Sequence, residues 1–296
     1  MKWIQASNVS DDSHIQLFLD NLIEELQDAD NFLSPDEAKH LRNYYSFFYR
    51  NDITPMEMKR SILGLSRGDF NYVISRILSH KGEKPLRILD AGSGTGTHSI
   101  FFGLLGAEVL GIDLREERYT LACKRRSYYE KKLGLNLLID FQLINIFNLD
   151  RSDFDLIWVN NAISHIHPLD DFLKFCNRLL KIGGEILILD ANKMFLPKNI
   201  MLYRERGNNL YTIVKDPNTG EDVIYAVERI LSLPKQCSLL REHGFQIVSR
   251  ECFIGFHTRV SKFIYENLIR PVNRSMFLSS ILGKRYIVVG RKFRDS

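Results

Sequence analysis

The hydrophobic rhythm of this 296-residue chain changes once, near residue 85. Before that point apolar residues recur at helical spacing. Ile15, Leu17, Phe18, Leu22, Ile23 and Leu26 follow Ser10-Asp11-Asp12, a polar cluster suited to capping a helix. Ser34-Pro35-Asp36-Glu37 marks a second start, with proline in the first turn and acids set against the helix dipole. Thr54-Pro55 with Glu57 repeats the signal and predicts a helix running on to Ile77-Leu78, broken at Gly64 and Gly68. From Pro85 short apolar runs alternate with helical patterns. Strands are expected over 86–90, 108–113, 136–144, 154–160, 185–189, 245–253 and 286–290, with helices over 96–105, 116–133, 168–181 and 234–243. Two stretches interrupt the alternation. One is a hairpin pattern, 210–214 and 223–230, around Asp216-Pro217-Asn218-Thr219-Gly220. The other is a helical pattern over 256–282. Strand alternating with helix predicts an α/β fold with a largely parallel sheet.

Composition leaves that picture in place. At 45% hydrophobic and 26% charged residues the chain reads as an ordinary globular protein, long enough for one large domain with an accessory piece. No apolar run approaches the roughly 18 residues of a membrane span. Met1 to Asn8 lacks an apolar signal core, so a cytoplasmic protein is expected. Cys123, Cys176, Cys237 and Cys252 form no Cys-x-x-Cys pair and read as reduced thiols rather than metal ligands. Charge adds one asymmetry. The net charge is +4, but 254–296 holds nine Lys/Arg against two Asp/Glu, a local +7 that leaves about −3 for the rest. That face suits anionic lipid, a phosphorylated ligand, or simple solvation.

The chemistry centres on Leu86-Arg87-Ile88-Leu89-Asp90-Ala91-Gly92-Ser93-Gly94-Thr95-Gly96-Thr97-His98: a strand, an acid, a turn on three glycines, then a helix start. Such a corner binds nucleotides in α/β sheets. A dinucleotide fold would space its glycines Gly-x-Gly-x-x-Gly and place pyrophosphate on the helix. Here the spacing is Gly-x-Gly-x-Gly, and Asp90 would repel a pyrophosphate while suiting an ammonium or sulfonium. No Gly-Lys-Ser/Thr follows, which excludes a P-loop. Asp113 ends the second strand, placed to accept from a ribose diol, and Leu114 beside it can pack on an adenine face. The string Arg178-Leu179-Leu180-Lys181-Ile182-Gly183-Gly184-Glu185 follows the fourth strand. Together, over about 100 residues and in this order, these elements resemble the class I S-adenosylmethionine (SAM)-dependent methyltransferases, with Ile182 where that superfamily has proline.

The resemblance implies a seven-stranded, mostly parallel, doubly wound α/β sheet with an N-terminal helical cap and insertions after strands five and six. Residues 1–82 would be the cap and 83–296 the methyltransferase domain, with a hairpin insertion at 193–232 and a basic helical insertion at 255–283. It implies SAM as donor, S-adenosylhomocysteine (SAH) as product and no metal. The donor would lie against Asp90, Ala91, Gly92, Ser93, Gly94, Gly96 and Thr97, with Asp113, Leu114, Asn145, Ile146 and Asn160 around it. Family likeness puts Asn145 on the adenine amino group and the next backbone N–H on a ring nitrogen; a plain turn-forming Asn remains the other reading.

Methyl transfer from a sulfonium is a displacement that needs alignment and exclusion of water. A hydroxyl acceptor also needs a base. His165 and His167 follow strand four, where the methyl should lie, and His165 is the first candidate, with His167 second and a structural role the alternative. Ubiquinone-pathway methyltransferases carry a histidine in a similar segment. Five aromatics crowd 44–49, so some should face a ligand or close over the main domain, the other reading being that they glue the helices to the sheet. Tyr44, Tyr45, Tyr49, Arg204 and Arg206 are the acceptor-side candidates, with a structural or solvent role the alternative for the two arginines. Asn160-Asn161-Ala162-Ile163 lacks the prolines of nucleic-acid amino methyltransferases, so nucleic acid is not expected as a partner. The expected activity is methylation of an oxygen or nitrogen on a small molecule, such as a lipid-linked, glycan or natural-product intermediate. RNA or protein methylation and a catalytically silent SAM-binding regulator are the alternatives. The basic 255–294 region would suit peripheral membrane contact, packing on the sheet, or a second subunit in a homo-oligomer.

Overall fold

The strands of this chain carry apolar residues on both faces, so both faces of the sheet must be covered. In the computed structural model, described over residues 11–49, 72–80, 84–253 and 275–293, they are. The segments 50–71 and 254–274 fall outside the described residues. With them go most of the helix expected from Thr54, most of the basic insertion, and the side chain of Tyr49.

Two helices open the chain, α1 (Asp11–Asp28) and α2 (Pro35–Tyr49). Ser34 and Glu37 cap α2 reciprocally: the Ser34 backbone N–H donates to Glu37 Oε2 at 2.9 Å and the Glu37 N–H to Ser34 Oγ at 3.4 Å. A third helical stretch covers 72–78. Then follow β1 (Arg87–Ala91), α3 (Thr97–Leu104), β2 (Glu108–Asp113), α4 (Glu116–Leu133), β3 (Ile139–Leu143), β4 (Phe154–Asn160), α5 (Leu169–Leu179) and β5 (Leu180–Ala191). The insertion comprises α6 (Leu196–Arg206) and the hairpin β6 (Tyr211–Lys215) and β7 (Asp222–Ala226). The chain closes with α7 (Leu233–Glu242), β8 (Phe245–Phe253), α8 (Met276–Leu282) and β9 (Arg285–Lys292).

The main sheet has seven strands in the order β3-β2-β1-β4-β5-β9-β8. Its first five are parallel, and β9 lies antiparallel between β5 and β8. Side chains alternate cleanly between two cores. Ile88, Trp158, Leu187 and Val289 join one, packed under α1, α2, α3 and α4. Leu89, Ile157, Ile188 and Val288 join the other, under α5 and α7. The cap is thus one wall of the first core, with Ile15, Phe18, Leu19 and Leu22 buried there and Phe18 against Phe101 at 4.6 Å.

Strands β2, β4 and β8 and helix α4 fall where the pattern put them. Several boundaries moved, among them the start of β5, at Leu180 rather than 185, and the end of β7, at Ala226 rather than 230. The fifth helix, expected to run to Lys181, stops at Leu179, because Leu180 already pairs with Phe154 of β4. The Gly183 turn, at φ +80°, then bulges within β5 rather than ending a helix. Strand β3 begins at Ile139, three residues later than expected.

Candidate functional site

Strand order reverses between β1 and β4, and ligands of open α/β sheets bind outside the carboxyl ends at such a point. A cleft opens there. It is lined by Ala91 and Gly92 from β1 and its turn, by Ile112, Asp113, Leu114 and Arg115 from the end of β2 and the loop after it, by Arg118 of α4, and by Ile144 and Ile146 after β3. Asn161, Ala162, His165 and Ile166 after β4 and Tyr225 of the hairpin complete the lining.

The glycine turn is held from below. Backbone N–H groups of Gly92 and Ser93 donate to the Ile112 carbonyl at 3.0 and 2.8 Å. Gly92 and Gly96 have φ of +81° and +77°, a region open to glycine and costly for other residues. A Cβ on Gly92 would meet Ala162 Cβ at 2.7 Å, and one on Gly96 would meet Phe141 at 2.7 Å, whereas Gly94 faces open space. Asp113 accepts from the Gly94 N–H at 2.9 Å and from its own loop at Arg115 N–H, 3.0 Å. A carboxylate has about four acceptor positions, so capacity for a diol remains.

Asp90 is 1% exposed, and its carboxylate accepts from Ser99 Oγ at 2.6 Å. Burial, with the Asp113 charge, pushes its pKa up to about 7 against the lowering effect of Ser99. A buried acid held near neutrality favours a cationic neighbour. Asn160 sits between two partners: Arg285 donates to its Oδ1 at 2.9 Å, so its amide NH2 faces His98 Nε2 at 3.1 Å and His98 accepts. Burial, together with Arg285 and Arg125, pulls the His98 pKa down to about 3 and keeps the ring neutral.

On the acceptor side, the backbone N–H of Ser164 donates to the buried Asp190 at 3.1 Å, fixing the loop after β4. His165 Nδ1 lies 3.1 Å from the Ala226 carbonyl, which can only accept, so Nδ1 carries the proton and the Nε2 lone pair is free in the neutral ring. Glu228 Oε1 is 3.6 Å from Nε2, and the ring stacks on Tyr225 at 5.1 Å and 15°. The Arg115 guanidinium lies 5.6 Å from the centre of the Tyr225 ring. His167 meets Tyr211 edge-on at 4.9 Å and does not line the cleft. Tyr44 remains 39% exposed.

Several expected ligand contacts are engaged otherwise. Asn145 Oδ1 accepts from Phe147 N–H at 3.2 Å and its amide donates to Asp216 at 3.1 Å, so the side chain ties the hairpin down while its neighbours Ile144 and Ile146 line the cleft. Tyr45 is buried against Thr97 and Arg125. Arg206 turns to the Gly207 and Glu228 carbonyls at 3.2 and 3.5 Å, closing the end of α6, and Arg204 is exposed. Tyr225, Arg115, Arg118, Glu228 and Arg285 carried no motif in the sequence. Tyr225, Arg115 and Arg118 line the cleft, while Glu228 and Arg285 reach it through His165 and through Asn160 and Asn161.

Residues 89–188 match a family model described as a methyltransferase domain. The chain is 31% identical over 127 residues to the mitochondrial ubiquinone biosynthesis O-methyltransferase of Homo sapiens, covering 41% of this chain and 34% of the relative. It is 23% identical over 173 residues to the ubiquinone biosynthesis O-methyltransferase of Sinorhizobium medicae (strain WSM419), covering 52% and 67%. The chain thus spans about a third of the human relative's length. Among solved structures, the magnesium protoporphyrin IX methyltransferase of Synechocystis PCC 6803 with bound SAH aligns with a TM-score of 0.53 at 14% identity, over 86% of this chain and 95% of that one. The YcgJ protein of Bacillus subtilis aligns at 0.51 and 18% identity, over 77% and 99%. No helix among the described residues is long and apolar enough to cross a membrane. The sheet order and the match over residues 89–188 agree: this chain has the class I methyltransferase fold, and its central segment is similar to a methyltransferase domain.

Proposed function

We propose that the chain is a SAM-dependent methyltransferase acting on a hydroxyl group of a small molecule. The observation that carries this is the lining of a single cleft by Ala91, Gly92 and Asp113 on one side and His165 on the other. When bound, SAM supplies an electrophilic methyl on a cationic sulfur. The residues present fit it: Gly92 and Gly94 leave room for close approach, Asp90 favours a cation, Asp113 can take a ribose diol, and Leu114 and Ile146 offer apolar contact to a base.

His165 would accept the acceptor hydroxyl's proton at Nε2, and Glu228 would stabilise the resulting imidazolium. Ala226 and Asp190 hold ring and loop in place, so little reorganisation is needed at the moment of transfer. Tyr225 and the hairpin shield the cleft from water. The relatives, ubiquinone biosynthesis O-methyltransferases by name, favour oxygen over nitrogen and a small acceptor over RNA or protein.

Calorimetry with SAM and SAH tests donor binding, with affinities in the micromolar range expected for both. Binding of neither overturns the reading. Transfer of labelled methyl from SAM to phenolic small molecules tests the acceptor class. His165→Ala should lower kcat by about 10²–10⁴-fold with SAH affinity unchanged, and full turnover in that variant removes the base assignment.

A further inference from the structure

Arg125 of α4 has no exposed surface, and all its donors are used. Nε and Nη2 face Glu25 of α1, with Nη2 to Oε2 at 2.9 Å. Nη2 also reaches Tyr45 Oη of α2 at 2.9 Å. Nη1 donates to the Thr95 carbonyl at 2.6 Å, to Thr95 Oγ1 at 3.2 Å and to Thr97 Oγ1 at 3.0 Å. Tyr45 Oη itself hydrogen-bonds Thr97 Oγ1, and Tyr129 Oη donates to Glu25 at 2.9 Å. The guanidinium therefore spans the joint between the N-terminal helices and the glycine turn. Thr95 stands between Gly94, whose N–H holds Asp113, and Gly96, whose left-handed backbone starts α3.

We propose that Arg125, neutralised by Glu25 and steadied by Tyr45, is a positioning residue that holds the 94–97 turn in its donor-binding shape. The N-terminal helices are then a structural part of the SAM site although none of their residues lies within the matched 89–188 segment. Stability alone is a poor account of this pair. A buried ion pair gains little over packed apolar groups of similar size, because desolvating both charges offsets their attraction. What apolar groups could not supply is a donor for the Thr95 carbonyl in a dry interior, where a charge-assisted hydrogen bond fixes the peptide's orientation. Without it the 95–96 peptide can rotate, and the Gly94 N–H loses its registration on Asp113.

The inference rests on the SAM reading, and the test separates the two. Glu25→Met/Arg125→Met replaces the pair with apolar side chains and leaves no unpaired charge, so the fold should persist, with the urea midpoint lowered because the Thr95 carbonyl and the Tyr45 and Tyr129 hydroxyls lose their partner. SAH affinity should nevertheless fall about tenfold, and the KM for SAM should rise by a similar factor with kcat within about twofold. Amide hydrogen exchange over Gly94–Thr97 in the ligand-free protein should quicken. Tyr45→Phe, which removes one hydroxyl, should weaken SAH about threefold and serves if the double variant does not fold. Parental SAH affinity and parental exchange in a folded variant overturn the positioning role. Failure of the parent protein to bind SAH overturns the donor reading, while exchange at the turn still decides the role of Arg125.

Discussion

Asp90 shows how a single buried acid can serve two purposes. Its folded-state pKa of about 7 lies above the ordinary 3.8, so the ligand-free fold holds this proton more tightly than the unfolded chain does. The contribution to stability is present in full below about pH 4 and is lost as pH rises to about 7. The interval corresponds to at most about 4 kcal/mol. A cationic donor reverses the preference by favouring the carboxylate. SAM affinity should therefore rise with pH through about 7. Asp90→Asn should flatten that rise, weaken SAM by about tenfold or more, and leave the ligand-free protein more stable at pH 8, as calorimetry and thermal melts at pH 5 and 8 would show. His165 and Glu228 form the other residue-scale pair. Glu228→Gln keeps the shape but removes the charge facing Nε2, and should lower kcat by about tenfold with SAH affinity unchanged, measured in the same assay as His165→Ala. Asp90, Asp113 and His165 stood out in the sequence because each lies at or within a few residues of a strand's carboxyl end. Glu228 was not: 63 positions separate it from His165, and only the hairpin's return brings the two within 3.6 Å.

Among elements, the hairpin shapes the cleft, and its position depends on one carboxylate. Asp216 is 4% exposed and accepts from Asn145, Asn148 and the N–H groups of Asn218 and Thr219. Those hydrogen bonds, working against burial, keep its pKa below the ordinary value. Asp216→Ala leaves the Asn145 amide without its acceptor and should cost about 1–3 kcal/mol. It should also raise the acceptor KM more than the SAM KM, as steady-state kinetics would reveal. Composition already marked 216–220 as a turn; its anchorage to the loop after β3 had no signal in sequence. The same contrast explains the displaced boundary at Leu179. Helical periodicity runs through Leu179-Leu180-Lys181, but the ladder with Phe154 claims Leu180 first, and that pairing is a tertiary fact. Strands β2 and β4 were read correctly because uninterrupted apolar runs bounded by polar residues leave no competing period.

At the scale of the molecule, the first core joins the N-terminal helices to the sheet, so the two should unfold together. Leu19 of α1 is 1% exposed in that core. Leu19→Ala should destabilise the whole protein by about 2–5 kcal/mol. Urea unfolding followed by circular dichroism and by tryptophan fluorescence, which reports on Trp3 and on the buried Trp158, should shift as one transition. Separate transitions would mean that the cap is an independent unit. The α/β class and the strand succession were readable because alternation is a local property repeated many times. The docking of α1 through Glu25 was not, since its partner Arg125 is 100 positions away and carries no mark distinguishing it from the surface arginines of the same helix.

The placement of β9 has a consequence for how the chain is made. This strand, residues 285–292, lies between β5 and β8, both of which precede it. As the polypeptide leaves the ribosome, the apolar edge of β5 at Ile186–Leu189 therefore has no neighbour until nearly a hundred further residues have been synthesised. Through that interval it offers a bare β-edge to any other strand nearby. A message cut short before Arg285 would yield a product with its glycine-turn corner encoded in full and its sheet left permanently open, a species suited to chaperones and to aggregation.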